Sequence, residues 1–95
     1  MDELPVFEYA VEPLRGRRRW RWELWDGATL AAAGWHVNSR HAELAVRTAA
    51  AARAHEQRGV QVLRPALKRA VASAGPRTNR IELGPVGCEL VARAA

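Results

Sequence analysis

The clearest feature of the chain is an alternation of apolar and charged residues over positions 18–25. Successive side chains of a β-strand point to opposite faces of the sheet, so a period of two predicts a half-buried strand. One face of this strand carries the apolar residues Trp20, Trp22 and Leu24. The other face carries the charged residues Arg19, Arg21 and Glu23. We therefore expect the tryptophans to face a core and the arginines to face solvent.

Asp26-Gly27 follows this strand and predicts a tight hairpin turn, because both central positions of a type I′ turn need a positive φ that these residues tolerate. With the two residues as the loop, large side chains lie opposite small ones in a third strand. The expected pairs are Trp22 with Ala31 and Trp20 with Ala33, and Trp35 follows on the same side. A slip of one residue would reverse the facing of one strand.

Residues 40–58 predict the longest helix, because neither Gly nor Pro interrupts them and Ala, the best helix former, recurs throughout. Asn38 or Ser39 is expected to cap its start, and Gly59 to end it. Glu43 and Arg47 are spaced as an i,i+4 ion pair. A stripe of small side chains is expected to pack closely on the tryptophans: Ala42, Ala45, Val46, Ala49 and Ala52.

The flanking segments predict shorter elements. The β-forming residues of segment 6–11 predict a first strand that ends at Pro13. After the long helix, segment 60–63 is compatible with a short strand, and Pro65 suits the first turn of a short helix over 66–73, with Leu67 and Val71 inward. A second hairpin is expected to turn at residues 84–87. Its inward residues are Ile81, Leu83, Cys88 and Leu90, and Glu82 is expected to face Glu89.

These elements predict a single domain over residues 1–95 with an α+β fold. A three-stranded antiparallel sheet, as a β-β-β-α unit, packs on one long helix. A short helix and a C-terminal β-hairpin follow, and the hairpin extends the sheet or pairs against it. Exposed strand edges and a shallow helix favour a homodimer.

Composition narrows the classes of function. The net charge is +5 and the 15 basic residues are all Arg except Lys68, a balance that favours polyanionic or acidic partners. Cys88 is the only cysteine, so an intrachain disulfide is excluded and a cytoplasmic location is expected. No apolar run is long enough to predict a membrane span or a signal peptide.

Catalytic and metal-binding motifs are also missing. The three histidines, His36, His41 and His55, have no shared ligand spacing, and neither a phosphate-binding loop nor a nucleophile elbow is present. Cys88 falls on an apolar strand face, which favours an inert thiol. We therefore predict no catalytic residues, no metal, no cofactor and no enzymatic activity.

The segment from about Arg18 to Ala49 resembles the YegP-like family of small domains of unknown function. The matching features are an aromatic-basic-aromatic strand, a tight turn, an apolar strand, a Gly-aromatic pair, a Ser-basic helix start and a helical alanine. The residues that carry them are Trp20-Arg21-Trp22-Glu23-Leu24, Asp26-Gly27, Leu30-Ala31, Gly34-Trp35, Ser39-Arg40 and Ala42-Glu43. The resemblance implies a β-β-β-α unit that packs in pairs, by tandem duplication or dimerisation. It implies no established activity or cofactor.

The same region also resembles the three-stranded DNA-binding domains at the N-termini of some phage-type integrases, in which the open sheet face enters the major groove. That resemblance implies a role for arginines on the corresponding face. The candidate nucleic-acid-binding residues are Arg17, Arg18, Arg19, Arg21, Arg40 and Arg47.

Two functional hypotheses follow. The first is a small non-catalytic interaction module that acts as a homodimer, with an unidentified protein partner and with Trp25 and Trp35 as interface candidates, because Trp is enriched at interfaces. The second is nucleic-acid binding through the arginine-rich sheet face. The two differ in their response to salt, since phosphate binding weakens linearly in log salt concentration.

Overall fold

The computed structural model describes residues 4–16, 18–75 and 79–93 of the chain. The elements in chain order are β1 (Val6–Pro13), β2 (Trp20–Asp26), β3 (Thr29–His36), α1 (Ser39–Gln57), α2 (Arg64–Ala74), β4 (Arg80–Leu83) and β5 (Val86–Ala92). The predicted α+β class is confirmed, with three strands, a long helix, a short helix and a C-terminal hairpin in the expected order.

The strands form one five-stranded sheet in the order β3-β2-β1-β5-β4. The β1-β2 and β2-β3 pairs are antiparallel, as is the β4-β5 hairpin. The hairpin extends the sheet, one of the two arrangements expected, because β5 pairs in parallel with β1, with Val6 beside Glu89. The edges of the sheet are therefore β3 and β4.

The core lies between one face of the sheet and the two helices. Phe7 from β1, Leu24 from β2 and Leu90 from β5 are buried there, together with Val46 from α1 and Val71 from α2. Burial of side chains of this size contributes roughly 1.5–3 kcal/mol each. The opposite face of the sheet, called here the outer face, is not covered by either of the two helices that the structure describes.

The predicted register of the β2-β3 hairpin is wrong. Asp26 pairs with Thr29, so the loop is Gly27-Ala28, and Gly27 alone in it has a positive φ, of 61°. A positive φ at the first central position only is the type II′ arrangement, whereas type I′ needs two. Asp26 ends the strand instead, where its carboxylate accepts hydrogen bonds from Arg53 at 3.1 Å and Gln57 at 2.9 Å.

An irregularity between Leu24 and Trp25 shifts the register again, so that Leu24 pairs with Ala32. Trp22 then lies opposite Gly34 and Trp20 opposite His36. The facing of β3 is therefore reversed relative to the expectation, because a β-bulge adds one residue to one strand.

Gly34 is the small residue that accommodates the Trp22 ring. A Cβ atom added at Gly34 would lie 2.8 Å from Trp22 Nε1 and 2.9 Å from two further indole carbons. The expectation that small residues oppose the tryptophans on the helix-facing side is thus met at Gly34 rather than at alanine. Trp22 packs against the core there and is partly buried.

The long helix agrees with its prediction. The Asn38 side chain caps α1 by accepting a hydrogen bond of 2.8 Å from the backbone N–H of His41. Gly59, with a φ of 70°, follows its end. The expected Glu43–Arg47 ion pair is present. The expected stripe lies inward, with Ala42, Val46 and Ala49 buried and Ala45 and Ala52 partly buried.

The C-terminal half requires two corrections. Segment 60–63 forms no strand, and Leu63 is 80% exposed. Glu82 does not face Glu89: Glu82 pairs with Gly87, and Arg80 pairs with Glu89, because Gly84-Pro85 alone forms the loop. Helix α2 buries Leu67 and Val71 as predicted. Among the described residues, no helix has the length and apolar character needed to cross a membrane.

Candidate functional site

The outer face of the sheet holds the arginines that the strand alternation predicted to face solvent. The Arg19 guanidinium lies over the Trp35 ring, 4.1 Å from its centroid. Arg21, whose register partner is Trp35, donates to the Glu23 carboxylate at 3.2 Å. Cation–π stacking of this kind is worth roughly 0.5–2 kcal/mol. These contacts hold both guanidinium groups against the sheet while leaving them accessible.

Carboxylates share this face with the arginines. Glu8 and Glu12 occupy alternate positions of β1 and pair in register with Trp25 and Arg21. Arg93 stacks over the Trp25 ring at 3.9 Å and lies 3.7 Å from the Glu8 carboxylate. The outer face therefore carries both signs of charge, which lowers its attraction for a polyanion.

The six candidate nucleic-acid-binding arginines do not form one site. Arg18 is exposed close to Arg19 in the chain, and Arg40 is exposed at the start of α1, in the helix layer. The prediction of Arg47 as a surface contact is wrong, because the Arg47 side chain is 3% exposed and forms an ion pair with Glu43. It also lies 5.5 Å from the Tyr9 ring centroid. Arg17 lies outside the described residues.

The two interface candidates both lie on the outer face. Trp35 is 51% exposed, and it stands on the face opposite to the one that the hairpin prediction gave it. Trp25 is partly buried, and its indole N–H has no hydrogen-bond partner in the described part of the chain. Trp35 is thus the more accessible aromatic surface.

The two edges of the sheet differ in their protection. β4 is four residues long and carries Arg80 and Glu82, which form an ion pair of 2.9 Å. β3 spans Thr29–His36 and includes neither Pro nor Lys, Arg, Asp or Glu. Short length, charged side chains and β-bulges are devices that stop a sheet edge from pairing with another chain. β4 has the first two devices, whereas β3 has neither of those and carries one bulge, opposite the step from Leu24 to Trp25.

A cavity of about 380 Å³ lies between the sheet and the two helices and is called here the Trp22 pocket. Its apolar wall consists of Trp22 from β2 and of Leu44 and Ala45 from α1. Ala45 contributes only a methyl group to this wall, and the Trp22 ring lies so close to Gly34 that a Cβ atom there would clash with it. Pockets of about 300–1,000 Å³ suit small molecules.

The polar lining of the Trp22 pocket is basic. His36 comes from the end of β3, His41 from the first turn of α1, and Arg64 and Lys68 from α2. The two imidazoles pack edge to face, with ring centroids 6.2 Å apart. Thr48 adds a hydroxyl that donates to the Leu44 carbonyl at 2.8 Å. No carboxylate lines the pocket, and neither Arg64 nor Lys68 forms an ion pair with any described residue.

Cys88 is buried, and burial raises the pKa of its thiol from the ordinary value of 9.0 to about 11. The thiol is therefore protonated near neutral pH, and a protonated thiol is a poor nucleophile. Over residues 4–16, 18–75 and 79–93, no three His, Cys, Asp or Glu side chains are grouped as metal ligands would be.

The Trp22 pocket was not predicted from the sequence. His36, His41, Arg64 and Lys68 are far apart in the chain, and only the placement of α2 beside α1 brings them together. A basic spacing of four between Arg64 and Lys68 was the one available signal, since residues four apart share a helix face.

No protein-family model, curated protein or solved structure matches this chain. The resemblance to the YegP-like family therefore stays a prediction.

Proposed function

We propose that this chain is a small non-catalytic interaction module that works as a homodimer, with two copies joined along their β3 edges. The observation that carries this proposal is the asymmetry between the two sheet edges. β4 is short and charged, whereas β3 has eight residues and no Asp, Glu, Lys, Arg or Pro. An edge strand left in this condition offers a row of free N–H and C=O groups to a second chain.

A two-fold axis makes such pairing self-complementary. An antiparallel strand pair is symmetric, so each N–H of β3 that donates to a C=O of the partner is matched across the axis by the same N–H of the partner, which donates to the same C=O of β3. The result would be one continuous sheet that spans both copies. The absence of charge on β3 matters here, because like charges directly opposite each other across two strands are destabilising.

Trp35 supports the same location. It is half exposed on β3 itself, with Arg19 stacked over its ring. In the proposed dimer its ring would lie beside the partner strand, where the pair of tryptophans would lose solvent contact. Trp and Arg are the residue types that most often dominate interface energies.

Sedimentation velocity at micromolar concentration tests the dimer. Ala33→Lys places a charge on the outer-face side of β3, at an exposed position, and should convert the dimer into a monomer. The matched control is Val91→Lys, which adds the same charge to the outer face at a half-exposed position of the interior strand β5. The control should remain a dimer.

Two results would reject edge pairing. A wild-type chain that sediments as a monomer at high micromolar concentration would remove the homodimer itself. Dissociation of both lysine variants would show that the copies associate through their outer faces, since Val91 is not at the edge.

A second candidate function is nucleic-acid binding at the end of the outer face where β2 begins. Arg19 stacks on Trp35 there, Arg21 is the register partner of Trp35, and the exposed Arg18 precedes both in the chain, which joins phosphate-binding groups to an aromatic stacking surface. Glu12 and Glu23 lie among them and weaken the local positive potential, so this candidate ranks second.

Fluorescence anisotropy with labelled single- and double-stranded DNA at two ionic strengths tests the second candidate. The double variant Arg19→Glu/Arg21→Glu should abolish binding, while Arg69→Glu, which makes a smaller charge change at an exposed position of α2, should leave most of it. Binding that is absent at low salt, or equally weakened by the control, would reject a site on this face.

A further inference from the structure

The geometry points to the Trp22 pocket as a binding site for a small aromatic anion, a flat ring that carries a carboxylate or a phosphate group. The ring of the ligand would pack on the Trp22 indole and Leu44. Its anionic group would lie between Arg64 and Lys68.

The charge of the described pocket lining favours an anionic ligand. Of its described lining side chains, Arg64 and Lys68 are cationic, His36 and His41 are imidazoles, and none is acidic. Arg64 and Lys68 stand one turn apart on α2 and form no ion pair within the part of the chain that the structure describes. The exposed Arg18 and Arg69 also form no ion pair with a described residue, but Arg64 and Lys68 are the two cations that line one cavity. An anion between Arg64 and Lys68 would supply the missing counter-charge.

The shape of the pocket and its apolar wall favour a ligand that also carries an aromatic ring. An Arg fork binds both oxygens of a carboxylate or phosphate, and a Lys adds a point charge. An inorganic anion would need only those two groups, yet the cavity extends to Trp22, Leu44 and Ala45. Rings stack on indole with an offset or edge-to-face geometry that adds affinity beyond the apolar area they bury. The pocket volume of about 380 Å³ accommodates a ring together with its anionic group.

The position of the pocket between the sheet and the helices is typical of a ligand site. Four elements, β2, β3, α1 and α2, meet at this cavity, and its apolar side chains Trp22 and Leu44 pack against the core. Ligand pockets commonly form where packed layers meet in this way. The pocket lies on the helix side of the sheet, whereas Ala33 lies on the outer face, so ligand binding and edge pairing are separable.

The test is a calorimetric titration of the full chain with three probes: 2-naphthoate, its neutral analogue 2-naphthalenemethanol, and inorganic phosphate. We expect 2-naphthoate to bind, with at least tenfold lower affinity for each of the other two, because each lacks one half of the recognition. The indole N–H resonance of Trp22 in an NMR spectrum should shift on addition of 2-naphthoate and stay unchanged with phosphate.

Charge-neutralising variants locate the site. Arg64→Gln and Lys68→Gln should each weaken 2-naphthoate binding by about tenfold or more, since a hydrogen bond to a charged group is worth roughly 1.5–3 kcal/mol. The matched control is Arg69→Gln, on the same helix but outside the pocket, which should bind as the wild type does. All three positions are exposed, so the fold should tolerate each change, and circular dichroism would verify it.

Three outcomes would overturn the inference. Equal binding of the neutral analogue would reject the anion requirement, and equal binding of phosphate would reject the aromatic one. Equal weakening by Arg69→Gln would show general attraction to a basic surface. The Ala33→Lys variant should keep its affinity for 2-naphthoate, so a failure of edge pairing and a failure of this site can be told apart.

Discussion

Replacement of Gly34 by alanine tests the packing on which the helix-facing side of the sheet depends. The added methyl group would approach Trp22 Nε1 to 2.8 Å and two other ring carbons to 2.9 Å. Ordinary contacts between such atoms are about 3.5–4.0 Å, so the ring must move by roughly 1 Å. The ring can move that far only by giving up part of its packing against the core and entering the Trp22 pocket.

We expect Gly34→Ala to destabilise the fold by about 1–3 kcal/mol, the usual cost of forcing an extra methyl group into a packed site. For a domain of this size, that corresponds to a fall in Tm of roughly 5–20 °C. Thermal unfolding followed by circular dichroism, together with urea unfolding, measures both quantities. In the absence of a clash the opposite sign is expected, since Gly→Ala at a compatible position stabilises by about 0.4–1 kcal/mol through the unfolded chain.

The double variant Trp22→Leu/Gly34→Ala isolates the contact. In the Trp22→Leu background the smaller side chain leaves space for the methyl group, so Gly34→Ala should be neutral or stabilising there. The difference between its effects in the two backgrounds is the coupling energy. An equal loss of stability in both backgrounds would refute the reasoning and assign the requirement for glycine to the backbone.

Three further predictions concern stability. Because of the buried Cys88 thiol, the free energy of unfolding should fall by at most about 2–3 kcal/mol as the pH rises from 9 to 11, since the unfolded chain loses the thiol proton before the folded one. Urea unfolding of the wild type and of Cys88→Ala measures this pH dependence, and the two should show the same dependence if the thiol titrates normally. Asn38→Ala should cost about 1 kcal/mol in urea unfolding by removing the cap on the His41 N–H, and Asn38→Ser should recover most of it. Asp26→Asn should lower the free energy of unfolding by less than about 1 kcal/mol, and this effect should disappear in high salt, because the side chains of the Arg53–Asp26 ion pair are each about one-third exposed. A loss of stability that does not depend on salt would contradict a mainly electrostatic role for the pair.

Strong local patterns predicted the elements that local physics determines. The alternation over positions 18–25 and the alanine-rich run over 40–58 correspond to β2 and α1 within two residues at each end. Both signals depend on residues that are close together in the chain. Segment 60–63 also carries three apolar residues, Val60, Val62 and Leu63, but it forms no strand, because no described strand pairs with it.

The Trp22 pocket was beyond sequence reasoning for a different reason. Its two imidazoles come from β3 and α1, and its two cations come from α2. Nothing in the local sequence pattern of α2 specifies where that helix packs. The parallel pairing of β5 with β1 is equally non-local, since it joins Val6 to Glu89 across nearly the whole chain. Charge composition indicated a basic protein but not where unpaired cations would meet an apolar wall.

The bulge beside Trp25 determines which side chains of β3 lie on each face of the sheet. Had the loop been Asp26-Gly27 with a regular ladder, Trp35 would share the helix-facing side with Trp22, and Gly34 would face outward. The observed register instead leaves Gly34 beneath the Trp22 ring and Trp35 on the open face beside Arg19. One extra residue in the ladder therefore places Gly34 against the Trp22 ring on one face of β3 and the Trp35 ring on the other face. A change that removed the bulge should alter both the wall of the Trp22 pocket and the exposed aromatic of the proposed dimer edge.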